Sequence, residues 1–542
     1  MKGRFKSVLT LAASALLILS LAACAQETSQ PLPSGSAGDD KPTSINIGES
    51  VDFASFDPVG IGDGQGLYHY SPLVYETLVR FENGEVVASL AESWENEGGS
   101  WVFHLHKNIT FTDGQPFNAE AVKVNIEKMQ EFQEEQVSYY GGISRITSVE
   151  TPDEYTVVFH YETPYYPVLQ DLSAIPFGML SPALFENGNN PYGNVHGETA
   201  GTGPYVLKNE NSTSGESYTF TRNAGYWGEA SGPDSFTVKI IPEAESRLMA
   251  MQAGEIDLLY GSYQVTYDMF DQLSGMQGLE AKTSDTLYAT RNLLLNTASE
   301  ILGDIRVRQA IQHGIDKQQI IDTILHGNEE KADYLFSRAV PFCDVDTVVY
   351  QYDMQKAESL LDEAGWKEKD ADGIRTKNGS PLTLTVIYMS ERSADEQILT
   401  AFKGQMAEIG IDIQIQGYET MTWFEKGLAG EFDISVNDTY AFPQDPYVFI
   451  AAMTDYGLDN PAQQGLSQKA EIDARIQDML STTDEAKIQD DFTYILTTLQ
   501  AEAVNVPVSY FKELCVYNTN KIQSVSFDIN GVFMDVSKIV LK

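Results

Sequence analysis

Between Pro381 and Gln416 the spacing of apolar residues changes period twice. Leu382, Leu384, Val386 and Tyr388 alternate with Thr383, Thr385 and Ile387, the pattern of a mostly buried strand. Ile398, Phe402, Met406 and Ile409 then recur at helical spacing, with Asp395 near the start and Gly410 at the C-terminal cap position. Ile411, Ile413 and Ile415 return to alternation with Asp412, Gln414 and Gln416. Strand, helix and strand joined by short connections predict a βαβ unit. Such a unit requires a parallel strand pair and a covered sheet, so this half of the chain is α/β.

The same periodicities predict helices over 304–325, with Val307, Ala310, Ile311 and Ile315 inward, and over 355–364, closed by Gly365. A further helix over 119–135 is capped by Asn118 and turns Val122, Ile126 and Met129 inward. Turn-rich strands occupy 86–112, 145–162 and 215–242. No repeat of fixed period occurs, which removes solenoids and propellers.

The chain opens on Lys2, Arg4 and Lys6, then an apolar run from Val8 to Leu21 that ends in Leu21-Ala22-Ala23-Cys24. The run is a secretory signal in length and flanks. Its end resembles the bacterial lipobox, which implies cleavage before Cys24 and lipidation of that cysteine. Residues 25–42 are rich in Ser, Gly, Pro and acid, a flexible tether reaching roughly 25 Å. No later stretch is long and apolar enough to span a bilayer, so the lipid is the membrane contact expected. Of the chain's charges, 78 are acidic and 35 basic, a net of -43; losing the leader removes three cations and no acid. That balance repels polyanions and excludes nucleic acid as a partner. Cys343 and Cys515, the cysteines left in the body, are read as two buried thiols.

Catalytic signatures are missing: no Gly-Lys phosphate loop, no His-Glu-x-x-His, no Cys-x-x-Cys, no Gly-x-Ser-x-Gly. The seven histidines, His69, His104, His106, His160, His196, His313 and His326, form no metal-ligand spacing. Asp370-Ala371-Asp372-Gly373 with Glu368 looks like part of a calcium loop, but its twelfth position is Gly379 where a bidentate Glu is required. An acidic hairpin turn is the reading. A binder is therefore expected rather than an enzyme; a surface hydrolase and a peptide-sensing lipoprotein are the other classes considered.

Ordered motifs then carry a resemblance. They are Leu90-Ala91-Glu92-Ser93-Trp94, Phe111 to Glu120 (FTDGQPFNAE), Gly201-Thr202-Gly203-Pro204-Tyr205, Tyr226-Trp227-Gly228, Gly254-Glu255-Ile256-Asp257, Leu295-Asn296-Thr297 and Asp304 to Ile311 with Ile315-Asp316-Lys317. Together they resemble the solute-binding proteins, family 5, of peptide and nickel ABC importers, from about Ser44 to Tyr510. The resemblance implies an α/β, periplasmic-binding-protein-like fold of class II type, with two hinged lobes and an extra inserted lobe. The divisions expected are 1–23 signal peptide, 24–42 lipidated Cys24 and tether, and 43–290 lobe I with the inserted lobe at about 78–200. Lobe II follows at 291–505, and 506–542 return to lobe I. It implies a monomer that works with ABC permease and ATPase subunits on the outer face of the membrane, with no cofactor.

Tyr226-Trp227-Gly228-Glu229, Ile256 to Gly261 and Ala462 to Leu466 are most similar to the nickel-type members, which bind metal as an organic chelate. By that resemblance Tyr68, Tyr139, Tyr440 and Gln444 line the cleft, with Asn437 and Asp438 just before Tyr440. In peptide-binding relatives an aspartate near Asp438 pairs with the ligand's α-amino group. Two departures matter. Gly178 stands where the family's chelator-binding arginine would be, and Tyr456-Gly457-Leu458-Asp459 lacks the loop histidine that can ligate metal. No metal-ligating residue is assigned. The expected cargo is a nickel chelate or a short peptide.

Overall fold

In the computed structural model, the described residues are 43–542 apart from 54, 59–69, 83–84, 134–141, 193–194, 196, 230, 262–263, 286, 288, 440–445 and 528–533. The signal, Cys24 and the tether lie outside them.

The βαβ unit is present as expected. Thr383–Met389 and Asp412–Tyr418 pair in parallel around the Ser393–Glu408 helix. Ile398, Phe402, Met406 and Ile409 are all buried, and Gly410 ends the helix at φ +84°, where a Cβ is disfavoured. Ile434–Val436 adds in parallel on the other side of Thr383–Met389. Thr290–Leu295, Asn505–Tyr510 and Glu330–Lys331 complete a six-stranded sheet by antiparallel pairing.

A seven-stranded sheet forms the other lobe. Its centre, Ser44–Glu49, runs parallel to Ser235–Ile240 and Leu258–Tyr260. Between its first strand and Tyr205 is inserted a four-stranded antiparallel sheet, Ala91–Glu97, Ser100–Leu105, Thr156–Tyr161 and Ile146–Asp153. The Ala119–Gln133 helix packs on that sheet, and Asn118 caps it through the Ala121 N–H at 3.0 Å.

The chain crosses between the large sheets twice, at 284–289 and at 511–513. The crossings are bonded to each other: the Ser284 N–H donates to the Glu513 carbonyl and the Phe511 N–H to the Ala289 carbonyl, both at 2.9 Å. Two adjacent crossings let the lobes swing about a single line. Buried apolar residues on each side of the large sheets pack continuously from one lobe to the other.

Two local expectations resolve further. The predicted helix at 304–325 is two helices, Ile305–Gly314 and Lys317–Thr323. Ile315 is extended, and the Asp316 carboxylate caps the second helix at the Gln319 N–H, 3.0 Å. An aspartate that bonds a nearby backbone N–H competes with helix continuation. The acidic segment at 370–373 is the turn of a hairpin, Glu368–Lys369 paired with Arg375–Lys377. Asp370 closes it by accepting from the Asp372 and Ile374 N–H groups. Gly201 and Gly203 are explained by close approach: a Cβ at Gly201 would strike the Val74 carbonyl, and one at Gly203 the carbonyls of Leu73 and Val74. Both body cysteines are buried. Among the described residues no helix is long and apolar enough to cross a membrane.

Candidate functional site

Strand direction locates the site. The Leu279–Thr283 strand runs parallel to Leu258–Tyr260, because each pairs antiparallel with Leu514–Asn518. Its carboxyl end leads through the first crossing to Thr290, which lies beside the carboxyl end of Ile434–Val436. Thr439 N–H donates to the Thr290 carbonyl at 3.0 Å. The carboxyl edges of both parallel strand sets therefore border the crossing, and ligands of open α/β sheets bind outside such edges. The loops there hold Glu49 and Gln264 on the first lobe, and Arg392, Asn437 and Asp438 on the second.

Asp438 is not an isolated turn acid. Its Oδ2 pairs with Arg392 Nη1 at 2.6 Å, and its Oδ1 accepts from the Asn292 N–H at 3.2 Å. Behind it Arg291 pairs with Asp395 at 2.9 Å and with Glu329 at 3.0 Å, all three buried. Glu329 also accepts from Ser509 and from Tyr267, a residue of the first lobe, and Arg291 stacks on Phe511 of the second crossing at 4.0 Å. Three carboxylates thus share two guanidinium groups in a chain that runs from the cleft edge to the crossings. Burial and the nearby Asp395 push the Asp438 carboxyl up to about 6, against the pull of Arg392 and Arg291. Burial opposes charge on Arg291, but Glu329, Tyr267, Asp395 and Asp438 outweigh it and hold the guanidinium well above its ordinary value.

Asn437, expected to line the cleft, is buried and engaged inside its lobe. Its N–H donates to the Asn292 carbonyl at 2.9 Å and its side-chain amide to Asp459 Oδ2 at 2.7 Å. Asp459, at the end of the loop that lacks histidine, is itself buried, and burial pushes its carboxyl up to about 7 against the hydrogen bond from Asn437 and the charge of Lys469.

Gly178 follows the Ile175–Phe177 turn, and a Cβ there would lie 2.7 Å from Tyr75 Cβ and 3.3 Å from Pro58 Cβ. Tyr75 is buried and anchored by its hydroxyl to the Phe56 carbonyl at 2.6 Å. No arginine fits at 178 with Tyr75 in place.

Tyr68, Tyr139, Tyr440 and Gln444 lie outside the described residues. Arg392 and Glu49 escaped sequence reasoning. The available signal was their position, each directly at or just after the carboxyl end of a parallel strand. Burial raises the Glu49 carboxyl to about 8, opposed chiefly by the Ser50 and Val51 N–H groups. Of the described histidines, His104, His106, His160 and His326 each lie near a carboxylate and His313 meets the Gln351 carbonyl. Among the described residues no group of three or more His, Cys, Asp or Glu could hold a metal ion.

Two sheets of this topology joined by paired crossings, with an inserted lobe and a polar floor at the facing strand ends, define a two-lobed class II solute-binding protein. The profile of "Bacterial extracellular solute-binding proteins, family 5 Middle" matches residues 85–460. The chain belongs to that family, the solute-binding components of ABC importers. It is 32% identical to the nickel-binding periplasmic protein of Escherichia coli K12 over 82% of this chain and 85% of that one. The crystal structure of NikA from Brucella suis in complex with Fe(III)-EDTA superposes with a TM-score of 0.87 at 33% identity, over 92% of this chain and 100% of that one. AppA from Bacillus subtilis, solved with a nonapeptide, shares the fold at TM-score 0.73 and 20% identity, over 93% of this chain and 99% of that one.

Proposed function

We propose that the protein captures a chelated transition metal, nickel before others, in the cleft between its lobes and delivers it to an ABC permease. The 32% identity to the nickel-binding periplasmic protein of Escherichia coli, over 82% of the chain, carries this reading, and the Fe(III)-EDTA complex of Brucella suis NikA supports the chelate. In it the protein is a lipoprotein held by Cys24 to the outer face of the cell membrane, a monomer without a cofactor of its own. The chelate is cargo, and the chelator supplies most of the metal's ligands.

A short peptide is the second reading, favoured by one observation. Gly178 offers no guanidinium to a chelator carboxylate, while the Asp438 carboxylate stands at the cleft edge where an ammonium group could compete with Arg392.

Calorimetry separates the two. The purified protein is titrated with Ni(II) plus L-histidine and, in parallel, with trialanine. A bound solute held at 100 times its Kd stabilises the fold by about 2.7 kcal/mol, which raises the melting temperature. Heat and a melting shift with Ni(II)-histidine are expected; a response to trialanine alone overturns the metal reading.

A further inference from the structure

Two opposite charges meet at the carboxyl edge of the second lobe's sheet. Thr383–Met389 has parallel neighbours on both sides, Asp412–Tyr418 and Ile434–Val436, and the chain just past two of these strands supplies Arg392 and Asp438. Arg392 occupies the cap position of the Ser393–Glu408 helix, where its side chain makes no capping bond. The amino end of that helix adds partial positive charge at the same place. Asp438 Oδ2 meets Arg392 Nη1 at 2.6 Å. Of the five charged side chains that run from this edge to the crossings, Arg392 is the most exposed, at 21% against 9% for Asp438, and the other three lie deeper.

Charge arithmetic decides what such an edge accepts. Glu329, Asp395 and Asp438 set three carboxylates against the two guanidinium groups of Arg291 and Arg392. Arg291 is bonded through Nε, Nη1 and Nη2 to Glu329, Asp395 and Tyr267, which leaves Arg392 as the guanidinium on the cleft side. A further carboxylate added beside this cluster would meet a surplus of negative charge. One that takes the place of Asp438 leaves the count unchanged. Asp438 is suited to yield: burial disfavours its charge and Asp395 repels it, which brings its carboxyl up to about 6 and within reach of a proton. Its other oxygen keeps the Asn292 N–H at 3.2 Å.

We propose that Arg392 reads a carboxylate on the cargo, and that Asp438 occupies the guanidinium until the cargo's carboxylate displaces it. The two acids exchange on one cation: the bond from Arg392 to Asp438 breaks, a bond from Arg392 to the cargo forms, and Asp438 passes to water or a proton. The inference rests on the cargo-binding cleft proposed above. It names one feature of that cargo, a free carboxylate, which an amino-acid chelator and a peptide both carry.

The test compares cargo with and without that carboxylate, by calorimetry on the purified protein. Ni(II) is presented with excess L-histidine or with excess histamine, which has the same imidazole and amine donors and no carboxylate; trialanine is set against its C-terminal amide. The Kd ratio within a pair is read, so any contribution of Asp438 to an amine or to the metal cancels. A hydrogen bond to a charged group is worth roughly 10- to 100-fold. With Asp438 to displace, the wild type should favour the carboxylate form by the lower factor. Arg392→Gln should bring the ratio close to one. Asp438→Asn keeps an oxygen for the Asn292 N–H and removes the competing charge, so it should move the ratio toward the upper factor; an ion pair that merely supports the fold gives no such gain. A wild-type ratio near one, a ratio that survives Arg392→Gln, or an Asp438→Asn ratio no larger than the wild type's each overturns the proposal. If Arg392→Gln does not fold, Arg392→Lys keeps the charge without the planar fork and should still lower the ratio. Which pair responds decides between metal and peptide, and the ratio within the responding pair decides the role of Arg392, so the two conclusions fail separately.

Discussion

Asp459→Asn should make this protein more stable, with a defined pH dependence. Asp459 is 3% exposed, and its carboxyl is pushed by burial from 3.8 to about 7. Its raised folded-state pKa means the native protein binds the proton more tightly than the unfolded chain. The stability that the protonated group contributes is whole below about pH 4 and is lost as pH rises through about 7. About three pKa units at 1.36 kcal/mol each give a cost of ionisation near 4 kcal/mol by pH 8. Asparagine has the shape of the protonated acid and keeps an oxygen for the Asn437 amide at 2.7 Å. The variant should match the wild type near pH 4 and exceed it by up to about 4 kcal/mol at pH 8. Urea unfolding followed by tryptophan fluorescence at pH 4.5, 6, 7 and 8 measures the gap, with Trp366 and Trp423 reporting on this lobe. A gap that stays flat with pH, or a variant less stable at pH 8, refutes the reasoning. Either result would mean that Lys469 and Asn437 compensate the buried charge in full.

Arg291→Met leaves Glu329 and Asp395 buried without their shared cation, and should cost about 3–5 kcal/mol in the same unfolding experiment. Gly178→Ala forces a methyl to within 2.7 Å of Tyr75 Cβ and should cost about 1–3 kcal/mol. Paired with Tyr75→Ala, which vacates that space, the Gly178→Ala cost should shrink; an unchanged cost means the clash lies elsewhere.

Much of the frame was legible because it is local. Leu384, Val386, Phe402 and Ile413 announce their elements by spacing, and Asp316, Asn118 and Asp370 each bond a backbone N–H within a few residues. The 304–325 span reads as one helix because apolar periodicity continues through Ile315, whereas Ile315 is extended and the Asp316 carboxylate caps a second helix. Resemblance placed Asn437 and Asp438 near the cleft edge, but not what they touch. Arg392 reaches Asp438 from another strand end, and Asn437 turns inward to Asp459.

By itself the sequence determined the alternation and capping that build the lobes, and the glycine at position 178. Only the tertiary structure decided that Tyr75 closes that position, that Arg291 serves two carboxylates, and that Asp171 meets Tyr447. The reason is range. Periodicity reports contacts within a turn or a strand, whereas a buried charge is paired by whatever the fold brings within about 3 Å, and Asp171 and Tyr447 are 276 residues apart.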